Sequence, residues 1–102
     1  MSTDMKIYIG GTLTDSKSTK ARHLKQAEII NDKIGNRWKL THPEQWKCKH
    51  VRWFLDEQTK TLSPETQYRY WLTIQIIVKR RNKSKDWLPR LNGPWTQRAR
   101  KN

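Results

Sequence analysis

The segment that begins at Leu62-Ser63-Pro64 constrains the fold most, because it predicts a long helix that is apolar on several sides. Ser63 is a suitable N-cap residue, Pro64 suits the first helical position, and the helical pattern continues to about Arg81. Large apolar or aromatic side chains recur around most of its circumference: Tyr70, Trp71, Leu72, Ile74, Ile76, Ile77 and Val78. A helix of this kind must be covered by several neighbours, so the sequence predicts a helical domain built around it.

An earlier helix is predicted from about Ser18 to Ile34. Hydroxyl groups at Ser16, Ser18 and Thr19 offer N-cap oxygens, and Gly35 is placed to end the helix. Apolar residues recur at intervals of three and four and predict its buried stripe: Ala21, Leu24, Ala27, Ile30 and Ile34.

The connection between these two helices also contains helical signals. Thr41-His42-Pro43-Glu44 has the spacing of a capping box with proline in the first turn, which predicts a short turn at Pro43–Trp46. A further helix is predicted over residues 49–57. After the long helix, residues 86–91 predict one helical turn, and Trp95 is expected to fold back on the core.

The chain has 102 residues, which is too short for two separate cores. We assign residues 16–95 to one helical domain. Residues 1–15 are predicted to be a flexible or extended tail, in which Lys6-Ile7-Tyr8-Ile9 is at most a short strand because Gly10-Gly11 ends it. Residues 96–102 are predicted to be a basic C-terminal tail.

Aromatic rings must supply much of the core, because apolar residues make up only 33% of the chain against a usual share of nearly half. Six residues are tryptophans, and each can bury a large area. Four of them are predicted to lie in the core: Trp38, Trp46, Trp71 and Trp87. For Trp53 and Trp95 the sequence leaves core and surface positions open.

The net charge of +13 predicts a polyanionic partner, with nucleic acid favoured over an anionic membrane surface. More than half of the excess lies in residues 79–102, where nine Lys and Arg residues face one acid, Asp86. We find no apolar run long enough to span a membrane and no secretory signal, and the single cysteine, Cys48, fits a reducing compartment. We therefore expect a cytoplasmic protein, nucleoid-associated if bacterial, with no membrane partner.

No catalytic or cofactor-binding motif is recognised in the sequence. Cys48 and His50 together with His42 match no standard zinc spacing, and the four glycines form no phosphate-binding loop. The neighbouring acids Asp56 and Glu57 would not face each other on a helix. We therefore expect no metal, no cofactor, no small-molecule substrate and no enzymatic activity.

Residues 16–91 resemble the SAM-like, core-binding N-terminal domain of the tyrosine recombinases, the phage-integrase family of mobile elements. The resemblance lies in Lys49-His50-Val51 at the start of one helix and in Leu62-Ser63-Pro64-Glu65-Thr66-Gln67-Tyr68-Arg69 at the start of the long helix. It implies an all-α, compact bundle of about four helices that clamps duplex DNA during integration or recombination.

The catalytic parts of that family are not found. The family's catalytic domain uses a His-x-x-Arg motif and a nucleophilic tyrosine, whereas His23, His42 and His50 are followed three residues later by Gln or Trp. The chain also ends where a catalytic domain would begin. The resemblance therefore implies a DNA-binding module without its own catalytic domain, either free-standing or a fragment of a larger integrase.

The resemblance further implies that the first helix and the less apolar strip of the long helix approach the major groove of DNA. Arg69 is the predicted base-edge contact, since Arg pairs bidentately with guanine. The cationic residues would contact phosphates, and Ser63 would lie near the DNA backbone. The predicted DNA-binding residues are Lys17, Lys20, Arg22, Lys25, Lys49, Ser63, Arg69, Thr73, Lys79, Arg80, Arg81, Lys83 and Lys85.

Two other functions remain open from the sequence. The chain would bind RNA or single strands if its Trp rings were exposed for stacking on bases. It would instead be a protein-interaction accessory factor of a recombination or transfer system if a partner covered the strip around Leu72 and Ile76. Whether the chain forms a homo-oligomer on DNA is also left open.

Overall fold

The long helix predicted after Ser63 is the central element of the computed structural model, which describes residues 5–13 and 16–96. This helix, α4, spans Pro64–Arg80, and the Ser63 hydroxyl oxygen accepts a hydrogen bond from the Thr66 amide at 3.3 Å. The predicted start and cap are therefore confirmed. The parts of the predicted tails at residues 1–4, 14, 15 and 97–102 lie outside the described residues.

The described residues form five α-helices and several shorter helical turns, with no strand among them. The α-helices are α1 (Met5–Ile9), α2 (Lys17–Trp38), α3 (Cys48–Trp53), α4 (Pro64–Arg80) and α5 (Ser84–Trp87). A π-helical turn, Phe54–Gln58, extends α3, and 3₁₀ turns lie at Gly10–Thr12, Pro43–Gln45, Leu88–Arg90 and Pro94–Thr96. Because α4 packs against α1, α2, α5, the π-helical turn and the last 3₁₀ turn, the predicted central helix and helical fold class are confirmed.

The prediction that Gly35 ends α2 is wrong, because this glycine lies within the helix. The helix continues to Trp38, and Lys39 adopts the left-handed conformation that closes it, with φ of 58°. The Lys39 and Leu40 amides both donate to the Gly35 carbonyl oxygen. A Cβ atom on Gly35 would lie 2.8 Å from the Leu40 carbonyl oxygen, so the close approach of the returning chain requires glycine.

The predicted buried stripe of α2 is present in its middle and C-terminal parts. Ala27, Ile30 and Ile34 are fully buried, Leu24 is half-buried and Ala21 is exposed. Near the N-terminal end, buried polar side chains take the place of the predicted apolar ones, and these belong to the contact with α4 described below.

The prediction of an extended tail is wrong for residues 5–13. Met5–Ile9 form α1, in which Met5, Tyr8 and Ile9 are all buried. The helix packs against both α2 and α4, so it belongs to the core. Apolar residues spaced three and four apart form one face of a helix, and this face is satisfied only because α2 and α4 are there to cover it.

In the connection between α2 and α4, the N-cap residue of the 3₁₀ turn lies one position later than predicted. His42, not Thr41, precedes the 3₁₀ turn, and its Nδ1 accepts a hydrogen bond from the Glu44 amide at 3.0 Å. The Gln45 side-chain oxygen accepts from the amides of Thr41 and His42 at 2.8 and 3.1 Å. The helix predicted over residues 49–57 is present as α3 and the π-helical turn.

The core is largely aromatic, in agreement with the composition. Four tryptophans are buried: Trp46, Trp71, Trp87 and Trp95. Trp38 and Trp53 are half-buried and pack edge to face, with ring centroids 4.9 Å apart. None of the six tryptophans is therefore an exposed side chain, which answers the question that the sequence left open for Trp53 and Trp95.

The packing of α1 generates a test with a matched control inside one helix. Ile9 is fully buried, whereas Ile7 is 81% exposed. We expect Ile9→Ala to lower the free energy of unfolding by about 2–4 kcal/mol, because it removes buried methyl groups and leaves a cavity. Ile7→Ala should change it by less than about 0.5 kcal/mol. Urea unfolding measures both, and equal effects would contradict the placement of α1 in the core.

Candidate nucleic-acid interface

α2 and α4 pack side by side in antiparallel directions. His23 and Gln26 of α2 contact Thr73 of α4, whereas the start of α2 lies beside the end of α4. An open groove of about 390 Å³ separates the outer surfaces of the two helices at this end. We call it the interhelical groove, and it is lined by Thr19, Arg22, His23, Leu72, Gln75, Ile76 and Lys79.

A buried polar cluster holds the two helices together below this groove. The Thr73 hydroxyl lies 2.8 Å from His23 Nδ1 and donates to the Gln26 side-chain oxygen at 2.8 Å. All three side chains are buried, and Thr73 is fully so. The prediction that Thr73 contacts DNA is therefore wrong, because the strip that looked polar in sequence turns this hydroxyl toward α2.

Five exposed cations lie on the outer surfaces of α2 and α4, and we call this set the basic face; two of them, Arg22 and Lys79, line the interhelical groove. On α4, Arg69 and Lys79 lie with Leu72 and Ile76 within an arc of about 80°. On α2, Lys33 lies about 20° and Lys25 about 60° around the helix from Arg22, and the exposed Asp32 lies about 20° from Lys25. The basic face consists of Arg22, Lys25, Lys33, Arg69 and Lys79.

The dimensions of the basic face follow from the helix rise. Arg22 and Lys33 are separated by about 16 Å along α2, and Arg69 and Lys79 by about 15 Å along α4. Antiparallel packing places Lys79 near Arg22 and Arg69 toward the Lys33 end. Lys33 is not among the residues predicted from the sequence, although its spacing of eleven residues from Arg22 returns to nearly the same side of a helix.

The segments that meet at this end of the fold contain no acidic residue. Residues 16–27 hold four Lys and Arg residues and residues 66–85 hold six, with no Asp or Glu in either segment. Arg69 is close to a carboxylate from the preceding turn, with its Nε 3.6 Å from Glu65 Oε1. The side chains of Arg22 and Lys79 have no hydrogen bond or ion pair with the described residues.

The four cations predicted on α2 do not share one surface. Lys20 lies about 160° around the helix from Arg22, and Lys17 lies about 60° from Lys20. Lys20 is half-buried and Lys17 is exposed, and neither lines the interhelical groove. Of the four cations that the sequence predicts as DNA contacts on α2, only Arg22 lines the interhelical groove.

Arg80 and Arg81 make structural contacts within the fold. Arg80 Nε donates to the Tyr8 carbonyl oxygen at 2.9 Å, and its guanidinium lies over the Tyr8 ring. Arg81 lies over the Trp87 ring and 3.8 Å from a Glu44 carboxylate oxygen, with only 19% of its side chain exposed. Both cations thus join α4 to other elements, a role that the sequence prediction of phosphate contact did not include; Arg81 is largely covered, whereas Arg80 remains exposed.

The other residues that the sequence predicts to bind DNA lie outside the basic face. Ser63 is occupied in capping α4. Lys83 is half-buried and Lys85 is exposed just beyond the end of α4, where Asn82 turns the chain with φ of 62°. Lys49 is exposed on α3.

Burial favours the neutral form of three titratable side chains: Tyr8, Cys48 and Tyr70. Burial raises the pKa of the Cys48 thiol and of the Tyr70 phenol. Burial also raises the pKa of Tyr8, and the hydrogen bond that its hydroxyl donates to Glu44 adds to this effect. Within residues 5–13 and 16–96, no group of three His, Cys, Asp or Glu side chains is placed to hold a metal ion.

His50 is buried against the Trp38 ring near the start of α3. Its Nδ1 accepts a hydrogen bond from the Lys47 amide at 2.9 Å, and the Trp38 ring lies 4.5 Å away between centroids. Burial lowers the pKa of His50, and the charges of Lys49 and Lys47 lower it further. The neutral imidazole is thus the form that the folded structure accommodates.

Comparison of this chain with protein-family models, with curated proteins and with solved structures gave no match. Among the described residues, no helix has both the length and the apolar character needed to cross a membrane. A function can therefore be inferred only from the arrangement of side chains in this structure.

The buried cluster around Thr73 generates a second test. We expect Thr73→Val to lower the free energy of unfolding by about 1–3 kcal/mol, because His23 and Gln26 would lose a hydrogen-bond partner inside the fold. Thr61→Val, at an exposed loop position, is the matched control and should have little effect. Urea unfolding of both variants is the measurement, and an unchanged stability for Thr73→Val would show that the cluster does not stabilise the α2–α4 contact.

The environment of His50 generates a test of pH dependence. Below the ordinary His pKa of about 6.5, the unfolded chain binds a proton that the folded chain resists, so stability is lost as the pH falls. We expect the free energy of unfolding to decrease between about pH 7.5 and about pH 5.5, and to decrease less in His50→Asn, which keeps an acceptor for the Lys47 amide. Identical pH dependence in the two proteins would contradict the burial of a neutral His50.

Proposed function

We propose that this protein binds duplex DNA through the basic face. The observation that carries the proposal is the antiparallel packing of α2 against α4, which sets Arg22 and Lys25 of one acid-free segment, residues 16–27, and Arg69 and Lys79 of another, residues 66–85, on adjacent helices. Each segment alone is an ordinary basic stretch of helix. Together they present cations on two adjacent rigid helices, which is an arrangement suited to a polyanion.

The chemistry of the proposed contact is phosphate neutralisation. The rows of cations extend about 15 Å along the helices, which corresponds to roughly four base-pair steps of about 3.4 Å. Lys and Arg side chains at such positions attract phosphates and displace counterions. To contact a base edge, Arg69 would have to leave its position beside Glu65. The proposal therefore rests on contacts with phosphates and not on contacts with bases.

Duplex DNA is favoured over single strands because no tryptophan is available for stacking. Proteins that bind single strands without sequence preference combine a cationic groove with exposed aromatic rings. In this structure the two least buried tryptophans, Trp38 and Trp53, pack against each other and against the core. The basic face contains no aromatic side chain.

The resemblance to the core-binding domain of tyrosine recombinases is compatible with this proposal. The long helix that begins at Ser63 and the basic helix α2 are the two elements that the resemblance assigns to DNA contact, and they lie side by side. We accordingly propose a DNA-binding module of the integrase type, whose role in integration or recombination depends on a catalytic partner.

Salt dependence tests the proposal. If the basic face neutralises about five phosphates, log K should fall with log salt with a slope of about −4 to −5 for duplex DNA. The double variant Arg22→Gln/Lys79→Gln should reduce the steepness of this slope by about 2, since two contacts are removed. Fluorescence anisotropy with a labelled duplex, measured over a range of salt concentrations, gives both values.

A matched control is available on the same helix. Lys17→Gln/Lys20→Gln removes the same charge from the start of α2, but on the side away from the basic face. We expect it to change the slope less than the Arg22→Gln/Lys79→Gln variant does. Equal effects of the two double variants would show that binding follows net charge alone, and tighter binding of a single strand than of the duplex would overturn the assignment to duplex DNA.

A further inference from the structure

The floor of the interhelical groove has an apolar character that phosphate binding does not use. Leu72 and Ile76 lie one turn apart on α4, both half-buried, and both face this groove. Duplex DNA would neutralise the cations beside them but would offer no apolar surface to cover these two side chains. The groove therefore has a second type of complementarity in addition to charge.

We propose that the interhelical groove binds an acidic amphipathic helix of a protein partner. Two aliphatic side chains of the partner, one turn apart, would cover Leu72 and Ile76, and carboxylates beside them would pair with Arg22 and Lys79. The proposal shares Arg22 and Lys79 with the basic face, but it does not depend on DNA binding, because it also requires the apolar side chains of Leu72 and Ile76, which are not part of that face.

Charge complementarity predicts that the partner helix is negatively charged. Arg22 on the α2 side and Lys79 on the α4 side are exposed, and neither pairs with a described residue. The other lining residues, Thr19, His23 and Gln75, carry no carboxylate. An apolar helix with basic flanks would be repelled here, whereas one with acidic flanks would gain two ion pairs.

The size and shape of the groove fit one helix face. Its volume of about 390 Å³ is enough for a small number of side chains but not for a second domain. An amphipathic helix placed in a groove between two helices presents anchors at i and i+4, which is the spacing of Leu72 and Ile76 themselves. The occupant that the groove specifies is thus a short helical segment with two adjacent aliphatic anchors.

The test uses a defined probe peptide with the whole protein. The probe is a fluorescein-labelled helical peptide of about fifteen residues, with leucines one turn apart on one face and glutamates flanking them. A scrambled peptide of the same composition keeps the charge but loses the apolar face. We expect the amphipathic peptide to bind at least about tenfold more tightly by fluorescence anisotropy. Equal binding of the two peptides would overturn the proposal.

Two substitutions separate this site from a general apolar or electrostatic effect. Leu72→Gln should weaken binding of the amphipathic peptide by about tenfold, because it replaces half of the apolar floor. Leu62→Gln changes an exposed leucine outside the groove and should leave the affinity within about twofold. Equal losses in the two variants would overturn the proposal.

The same variants distinguish this inference from the proposed function. Leu72→Gln should leave duplex binding and its salt slope unchanged, whereas Lys79→Gln should weaken both duplex and peptide. If Leu72→Gln unfolds more easily than the wild type, amide-shift mapping of the wild-type protein with the peptide supplies a second readout. Shifts at Thr19, Leu72 and Ile76 would support the site, and shifts confined to other surfaces would overturn it.

Discussion

The antiparallel contact between α2 and α4 is the interaction on which the rest of the structure depends. At its centre a single hydroxyl, that of Thr73, joins His23 and Gln26 inside the fold. Buried polar groups are costly unless every partner is in place, so this cluster favours one register of the two helices over sliding alternatives. That register brings together Arg22 and Lys79, which are far apart in sequence, and it creates the interhelical groove beside them.

The cations of this protein divide into two kinds that the net charge does not distinguish. Arg52, Arg80 and Arg81 lie over aromatic rings and donate to backbone carbonyl oxygens or pair with carboxylates. A planar guanidinium can stack and form directed hydrogen bonds at once, which suits it to join elements where aliphatic side chains are scarce. The lysines lie mostly at the surface. Because three arginines make contacts within the fold, the positive charge left for an external partner is smaller than the net charge of +13 indicates.

The tryptophans, like these arginines, stabilise the fold. With few aliphatic residues, the chain closes its core with large rings, which is why Trp46, Trp71 and Trp95 are buried near the central helix. The Trp95 indole nitrogen donates to the Leu91 carbonyl oxygen at 2.7 Å, so the polar part of this ring is satisfied inside the fold. The six tryptophans thus serve the core and its margin, and none of them is an exposed side chain.

The sequence by itself determined the elements whose signals are local. Ser63 and Pro64 mark the start of α4 through the unsatisfied amides of its first turn, and the spacing of Ala27, Ile30 and Ile34 marks the buried side of α2. The helical class and the aromatic core follow from the same local and compositional reasoning. The tertiary structure alone decided the features that depend on a neighbour. Gly35 lies within α2 because Leu40 returns over it, α1 is a helix because α2 and α4 cover its apolar side, and Thr73 is buried because His23 and Gln26 meet it. In each case the deciding contact joins residues on different elements or on either side of a turn, and periodicity within one segment carries no information about such a partner.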